Sequence, residues 1–273
     1  MRRGVLAVIA GVLAALSFTS PAAAQSDSTK QRPLFTWRDG LLAGGFIVGT
    51  VVIRPLDKRT AVALQDSMRQ RSALYRVSAT GFRTIAVPGS VIIGVTMYAT
   101  GRLARNERMA ELGLYGTEAL LVGEGIGSVL KDTFGRARPY VDSTPNPDNW
   151  QFFRGFTKGD KYRSFPSGHT VAAFAAAAAV SSETSRWWPH GIYVIGPTMY
   201  GGAALVGLSR MYENRHWASD VIMGAAIGTF AGTKVVRYHR THPGNPIDRW
   251  LLNVSASPSE LGHITFSILP ALP

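Results

Sequence analysis

Six apolar stretches, separated by short polar segments, constrain the fold of this chain more than any other feature of its sequence. They cover residues 40–53, 84–101, 109–130, 170–182, 187–208 and 221–233. Most are rich in Ala, Gly, Leu and Ile, and the segments between them carry helix breakers such as Arg138-Pro139. The pattern favours an all-α fold, a helical bundle of about six core helices.

The character of the chain changes after residue 242. Residues 250–256 and 263–269 are short, β-prone and separated by Ser257-Pro258-Ser259, which predicts a C-terminal tail that forms a β-hairpin or an extended wrap. We therefore assign residues 40–240 to one helical-bundle domain, residues 25–39 to an N-terminal lead-in and residues 241–273 to the tail.

The N-terminus has the pattern of a secretory signal peptide. Arg2 and Arg3 precede an uncharged apolar stretch, residues 4–18, and residues 21–24 supply the small side chains of a signal-peptidase site. We predict that residues 1–24 are removed by cleavage after Ala24. The mature chain is then expected in the periplasm or elsewhere in the cell envelope.

Composition narrows the chemistry and the partners. The chain has no cysteine, which excludes thiolate catalysis, iron–sulfur clusters and cysteine-ligated zinc. Its 29 Lys and Arg against 17 Asp and Glu favour an anionic partner. An exported protein does not usually meet chromosomal DNA, so we expect no nucleic acid. The expected anionic partner is therefore a phosphorylated lipid, a small phosphate ester or an anionic membrane surface.

The lengths of the stretches argue against a bundle that crosses a membrane. A spanning helix needs about 20 apolar residues, and by this measure only residues 187–208 are comfortably long enough. Residues 109–130 carry three glutamates. The arginine-rich region 54–108 is interpreted as a cytoplasmic loop or as a surface that faces anionic lipid headgroups. We expect a periplasmic bundle that rests on the membrane.

Three separated motifs carry residues suited to phosphate chemistry. Lys131 and Arg138 are seven residues apart, which on one helix places two cations on the same face, and Pro139 is expected to end that helix. A basic stripe of this kind is also typical of a solvated surface.

The second and third motifs add histidines. Ser167, Gly168 and His169 begin a predicted helix, where free backbone N–H groups form an anion site. His216 and Asp220 are four residues apart, so they are expected to meet on one helix face, with Arg210 as a third cation. The alternatives are that His169 is a structural histidine and that His216 and Asp220 form a surface pair.

Together the motifs resemble the signature of the type-2 phosphatidic acid phosphatase superfamily, which includes histidine acid phosphatases and lipid phosphate phosphatases and is related to vanadium haloperoxidases. The signature reads K-x6-R-P, P-S-G-H and S-R-x5-H-x3-D, and all its defining residues are present between residues 131 and 220. The resemblance implies a phosphate-binding set: Lys131, Arg138, Ser167, Gly168 and Arg210. It also implies that His216 is a nucleophile that forms a phosphohistidine, that Asp220 orients it, and that His169 is the general acid and base. No metal ion or other cofactor is expected.

The resemblance implies a phosphatase, which the predicted signal peptide places outside the cytoplasm, with lipid phosphates, isoprenoid diphosphates or small phosphomonoesters as substrates. A vanadium-dependent haloperoxidase, which holds vanadate as a cofactor, and a broad-specificity acid phosphatase for small phosphomonoesters are the alternatives. A non-catalytic membrane-binding protein is disfavoured, because binding alone requires neither histidine. We expect residues 140–163, with Phe152, Phe153, Phe156 and Tyr162, to determine specificity.

Overall fold

The helices follow the apolar stretches but extend beyond them. A computed structural model describes residues 33–252, 254–258 and 264–268. In chain order the helices are α1 Trp37–Ile53, α2 Asp57–Leu64, α3 Ser67–Arg71, α4 Ala73–Thr84, α5 Ser90–Leu103, α6 Glu107–Phe134, α7 Arg154–Lys158, α8 Gly168–Trp187, α9 Ile192–Tyr212, α10 Ala218–Thr241 and α11 Pro246–Leu251. Shorter helical turns lie at Arg54–Leu56, Ile85–Gly89, Asp160–Tyr162 and Pro189–Gly191. The predicted all-α class is confirmed for residues 33–252.

The described part of the C-terminal tail contains β-structure. Two short strands, β1 Val254–Pro258 and β2 Ile264–Ile268, pair antiparallel, with residue 256 opposite residue 266. The predicted signal peptide, residues 1–24, and most of the lead-in lie outside the described residues.

Small residues bring α8 and α10 into close contact at the centre of the bundle. Five of the seven alanines at residues 172–179 of α8 are fully buried. On α10, glycines at every fourth position face this run, and a Cβ at Gly228 would collide with the carbonyl oxygen of Val171. Close approach of this kind requires glycine. It holds the N-terminus of α8 against the N-terminus of α10, where the second and third motifs lie.

A buried ionic cluster ties helices together at the opposite end of the bundle. His239 of α10 lies between two carboxylates, with Nδ1 2.7 Å from Asp248 and Nε2 2.7 Å from Glu118. Its ring stacks on Tyr115. Burial alone would lower the pKa of His239, but the two carboxylates raise it to about 9. The protonated ring therefore links α10 to α6 and α11, and we refer to this end as the distal end.

Three of the helical segments are long and apolar enough to cross a membrane: Trp37–Leu64, Ala73–Leu103 and Pro189–Tyr212. The expectation that only residues 187–208 reach this length is therefore wrong. The reason is continuity: α1 runs through Arg54–Leu56 into α2, and α4 joins α5 through Ile85–Gly89. The arginine-rich region 54–108 is accordingly largely helical rather than a loop.

The outer faces of these segments expose large apolar side chains. Val51 in α1, Ile92 in α5 and Val194 in α9 are each at least 60% exposed. Many large apolar side chains exposed on several helices indicate contact with lipid or protein. Together with the length of the segments, this surface supports association with a membrane.

Candidate active site

The three motifs meet at one end of the bundle, which we call the site end. α6 and α9 finish there, carrying Lys131 and Arg210, whereas α8 and α10 begin there, next to Ser167 and His216. The eight residues predicted for the site all lie at this end: Lys131, Arg138, Ser167, Gly168, His169, Arg210, His216 and Asp220.

The first motif is not one continuous helix. Gly135 ends α6 in a left-handed conformation, φ 53°, and its N–H donates to the carbonyl of Lys131 at 3.1 Å. A Cβ at residue 135 would collide with the carbonyl oxygen of Gln151, so glycine is required in this turn. Arg138 therefore lies on a non-helical segment. The expectations that it shares a helix face with Lys131, and that Pro139 ends the helix, are wrong.

The second motif forms the N-terminus of α8. Ser167 is the N-cap residue, and its N–H donates to the carbonyl of Asp220 at 3.0 Å. The N–H groups of a first helical turn lack partners within the helix and carry the positive end of its dipole. Gly168 lies directly against Lys131, since a Cβ there would collide with Nζ. The helix N-terminus and Lys131 thus face the same space, and His169 lies in the first turn beside it.

His216 precedes α10 and has a different partner from the one expected. Its Nδ1 lies 2.7 Å from the carbonyl oxygen of Ser164 but 3.7 Å from Oδ2 of Asp220, beyond hydrogen-bonding distance. The two side chains approach each other as expected, but the hydrogen bond of Nδ1 goes to Ser164 rather than to Asp220. A carbonyl oxygen only accepts, so the proton lies on Nδ1 and Nε2 keeps its lone pair. Nε2 lies 3.3 Å from Nη1 of Arg138.

Asp220 is connected to His216 through Ser164. The Ser164 hydroxyl donates to Oδ2 of Asp220 at 2.6 Å, and the Trp217 N–H donates to the same oxygen at 2.9 Å. Oδ1 accepts from Arg136 at 2.5 Å. Asp220 therefore fixes Ser164, and the carbonyl of Ser164 fixes the imidazole.

Three polar residues of the site were missed by sequence reasoning: Ser164, Arg136 and Asp57. The first two lie within two residues of signature positions, and polar side chains adjoining a motif were the available signal. Asp57 reaches Arg136 from α2, at 2.7 Å. Nothing in the local sequence marks Asp57, because only the packing of α2 against the site end brings it there.

Each predicted phosphate-binding cation is paired with a carboxylate. The pairs are Lys131–Glu124 at 3.8 Å, Arg138–Asp160 at 2.6 Å and Arg210–Glu213. Nε of Arg210 is buried and donates no hydrogen bond within the described structure. A phosphate dianion can replace these carboxylates as the partner of the same cations, because it carries two charges and several acceptor oxygens.

The electrostatics of the site keep both histidines neutral and Asp220 ionised. Burial, with the neighbouring cation Arg210, lowers the pKa of His169 to about 3. Burial also lowers the pKa of His216 to about 4, although Asp220 opposes the shift. For Asp220 burial alone would raise the pKa, but Arg136 and its hydrogen-bond partners lower it to about 2. At neutral pH, His216 is a neutral imidazole beside a fixed carboxylate.

The segment predicted to determine specificity, residues 140–163, docks on Arg138. The backbone N–H of Arg138 donates to the carbonyl of Lys161, and its Nε donates to the carbonyl of Asp160. Phe152, Phe153 and Phe156 of this segment are each about two-thirds exposed. Tyr162 instead packs under the guanidinium of Arg154.

Parts of the chain are similar in sequence to known proteins. Residues 113–243 match the model of the PAP2 superfamily. The lipid A 1-phosphatase of Porphyromonas gingivalis is 34% identical over 116 residues, which cover 41% of this chain and 22% of the relative. The undecaprenyl-diphosphatase of Sulfolobus acidocaldarius is 26% identical over 152 residues, 53% of this chain and 64% of the relative. The chain thus spans less than two thirds of either relative.

A solved structure has the same fold. The crystal structure of a transmembrane PAP2-type phosphatidylglycerolphosphate phosphatase from Bacillus subtilis superposes with a TM-score of 0.54 at 20% identity. The superposition covers 75% of this chain and 97% of that chain. Because the family model matches residues 113–243, across all three motifs, this part of the chain belongs to the PAP2 superfamily.

Proposed function

We propose that this protein is a phosphatase that hydrolyses phosphomonoester or diphosphate bonds of lipids through a phosphohistidine at His216. The observation that carries the proposal is which nitrogen of the His216 ring is protonated. Nδ1 is held by the carbonyl of Ser164, so Nε2 is unprotonated, and its lone pair accepts from Nη1 of Arg138 at 3.3 Å. A neutral nucleophile beside converging cations is suited to phosphoryl transfer, which depends on positioning and charge stabilisation.

In the first step Nε2 of His216 attacks phosphorus and the bond to the leaving oxygen breaks. Lys131, Arg138 and Arg210 hold the non-bridging oxygens, with the N–H of Gly168 and the hydroxyl of Ser167. As the Nε2–P bond forms, the imidazole becomes positive, and the Ser164–Asp220 pair stabilises that charge. The leaving oxygen receives a proton from His169, which yields an alcohol or a phosphate.

In the second step water attacks the phosphohistidine. His169, now neutral, accepts a proton from the water, the Nε2–P bond breaks, and inorganic phosphate leaves. His169 must be protonated before the first step, although burial and nearby cations lower its pKa. The two charges of a bound phosphate offset those cations, so substrate binding itself raises the pKa of His169.

Two features support a lipid as the phosphate carrier. The exposed Phe152, Phe153 and Phe156 beside the site end offer an apolar surface to an acyl or isoprenoid chain. Two relatives, the lipid A 1-phosphatase and the undecaprenyl-diphosphatase, are named for phosphates carried on lipids.

A phosphate-release panel tests this function. Purified protein in detergent is offered phosphatidate, undecaprenyl diphosphate and p-nitrophenyl phosphate, each with and without EDTA. We expect release that is fastest with a lipid substrate, survives EDTA because three side-chain cations supply the positive charge, and is inhibited by vanadate as a phosphate mimic. Preference for p-nitrophenyl phosphate would indicate the small-ester phosphatase instead. Bromide oxidation dependent on vanadate would indicate the haloperoxidase.

We further propose that Trp37–Leu64, Ala73–Leu103 and Pro189–Tyr212 cross the membrane, in place of the periplasmic bundle expected from the sequence. Their exposed apolar faces would be costly in water and are favourable in lipid. The chain enters α1 at the distal end, where Lys234 bonds to the carbonyl of Leu34 and to Asp39. Residue 33 and the active site therefore lie on opposite sides of the membrane. A cleaved signal peptide and an external site exclude each other in this arrangement, and we propose the external site.

Cysteine labelling decides between these arrangements. The chain has no cysteine, so Lys158→Cys at the site end and Arg249→Cys at the distal end each introduce a single thiol. In intact spheroplasts we expect a membrane-impermeant maleimide to label only Lys158→Cys, and both variants after lysis. Labelling of Arg249→Cys alone would mean an internal site behind a cleaved signal. Equal labelling of both in intact spheroplasts, with release by high salt, would show a bundle outside the bilayer.

A further inference from the structure

Arg136 has no exposed surface, and all of its N–H groups face acceptors. Nη1 donates to Oδ1 of Asp220 at 2.5 Å and to the hydroxyl of Ser219 at 2.8 Å. Nη2 donates to Asp57 at 2.7 Å and to the carbonyl of Pro147 at 2.9 Å, which also accepts from Nε. A guanidinium presents five donors in a rigid fork, and here that fork is fully used.

Aromatic rings cover the guanidinium. Its carbon lies 4.4 Å from the ring centre of Trp150 and 5.3 Å from that of Trp217. Arg136 is therefore held in one orientation by planar hydrogen bonds at its edge and by rings against its face. Such a cation cannot turn toward a substrate. Its effect on the reaction must pass through the groups that it binds.

Asp57 completes the arrangement from outside the region that matches the family model. It lies in the first turn of α2, is fully buried, and accepts from the N–H of Ser219 at 2.9 Å and from its hydroxyl at 2.6 Å. Asp57 thus binds both Arg136 and the first turn of α10. The N-terminal helices are fixed to the residues that surround His216.

We propose that Arg136 and Asp57 are positioning residues for His216. Arg136 occupies Oδ1 of Asp220, which leaves Oδ2 to accept from Ser164 and Trp217. Ser164 is thereby placed with its carbonyl on Nδ1 of His216. The inference rests on the proposed function, in which neutral His216 attacks through Nε2, and it assigns part of that geometry to a residue of α2.

The charge of Arg136 also matters for the proton on His216. Without Arg136, Asp220 would be a buried carboxylate with no cation in contact with it. Nδ1 of His216 lies 3.7 Å from Asp220, so protonation of His216 would then supply the compensating positive charge. The other charged or titratable groups that interact with His216 and Asp220 remain unchanged: Arg138, Arg210, His169 and Asp160. Loss of Arg136 should therefore let His216 take up a proton at a higher pH.

The test removes the cation and its second carboxylate together, with Arg136→Gln/Asp57→Asn, so that no unpaired charge remains at residue 57. We expect the pKa of His216, measured by deuterium exchange at Cε1 with mass spectrometry, to rise by about one unit. The acid limb of kcat/KM should move by the same amount, about a tenfold loss on that limb. Asp57→Asn alone should lower kcat without raising the pKa of His216, because Arg136 still pairs with Asp220. Arg136→Lys keeps the charge and should shift the limb less than the double variant.

The control is Arg240→Gln/Glu183→Gln, which removes an ion pair at the distal end between exposed Arg240 and buried Glu183. We expect it to leave the pKa of His216 and the shape of the pH profile unchanged. An equal loss of activity at every pH in Arg136→Gln/Asp57→Asn, with an unshifted His216, would reduce Arg136 to a packing residue and overturn the inference. Full activity of Asp57→Asn would show that Asp57 is not a positioning residue. Absence of a phosphohistidine in the native protein would contradict the proposed function instead, and the exchange titration would still decide the positioning.

Discussion

Replacement of His216 with alanine is expected to lower turnover by roughly 10⁴-fold or more, the scale seen when a nucleophile is removed from a covalent mechanism. The physical reason is the lone pair on Nε2, which no other side chain can supply in the same place. His169 faces the same cations, but its proposed role is proton transfer. Phosphate binding should change little, because Lys131, Arg138 and Arg210 remain.

Rapid quenching provides the direct measurement. Labelled phosphate that is stable in alkali and released by acid should be trapped on the native protein and be absent from His216→Ala. His190→Ala is the matched control, since His190 is exposed at the distal end. A phosphorylated intermediate that persists in His216→Ala would assign the nucleophile to a different residue.

The helices were largely predictable because their buried centres are apolar, but their ends were not. α10 was expected over residues 221–233, whereas it spans Ala218–Thr241. The additional residues include Asp220 and His239, which are polar because they bind groups at the two ends of the bundle. Apolar length therefore underestimates helix length most where the helix ends carry ionic contacts.

The same effect explains the error about the membrane. The stretch at residues 40–53 is too short to span, but the helical path continues through Arg54 and Pro55 to Leu64. Proline at the first positions of a helical turn is compatible with such continuation. Hydropathy alone could not show that these helices lie on the outside of the bundle, because exposure depends on which face packs against α8 and α10.

For the site, spacing identified which residues belong together but not how they touch. The signature named Lys131, Arg138, His216 and Asp220, and the structure places them at one end of the bundle. The turn at Gly135 and the bond from His216 to the Ser164 carbonyl depend on backbone paths between elements. Interactions over such separations leave no periodic pattern in a sequence, so they became visible only in the folded chain.

Replacement of His169 with alanine should have an effect that depends on the leaving group. Loss of a general acid costs roughly 10²–10⁴-fold when the leaving group is an alkoxide, which is unstable without a proton. Nitrophenolate leaves readily without protonation, so p-nitrophenyl phosphate should lose far less. Phosphatidate and p-nitrophenyl phosphate, assayed side by side on His169→Ala and the native protein, provide the measurement.

The pH dependence of the native enzyme sharpens this prediction. The fall of kcat/KM as His169 loses its proton reports the free enzyme, in which burial and cations lower the pKa of His169 to about 3. The corresponding fall of kcat reports the substrate complex. Because a bound phosphate offsets those cations, the group that must be protonated in kcat should titrate at a higher pH than in kcat/KM. His169→Ala should abolish that limb in kcat with phosphatidate. If both substrates lose activity equally and the limb persists, another group donates the proton and His169 acts only in binding.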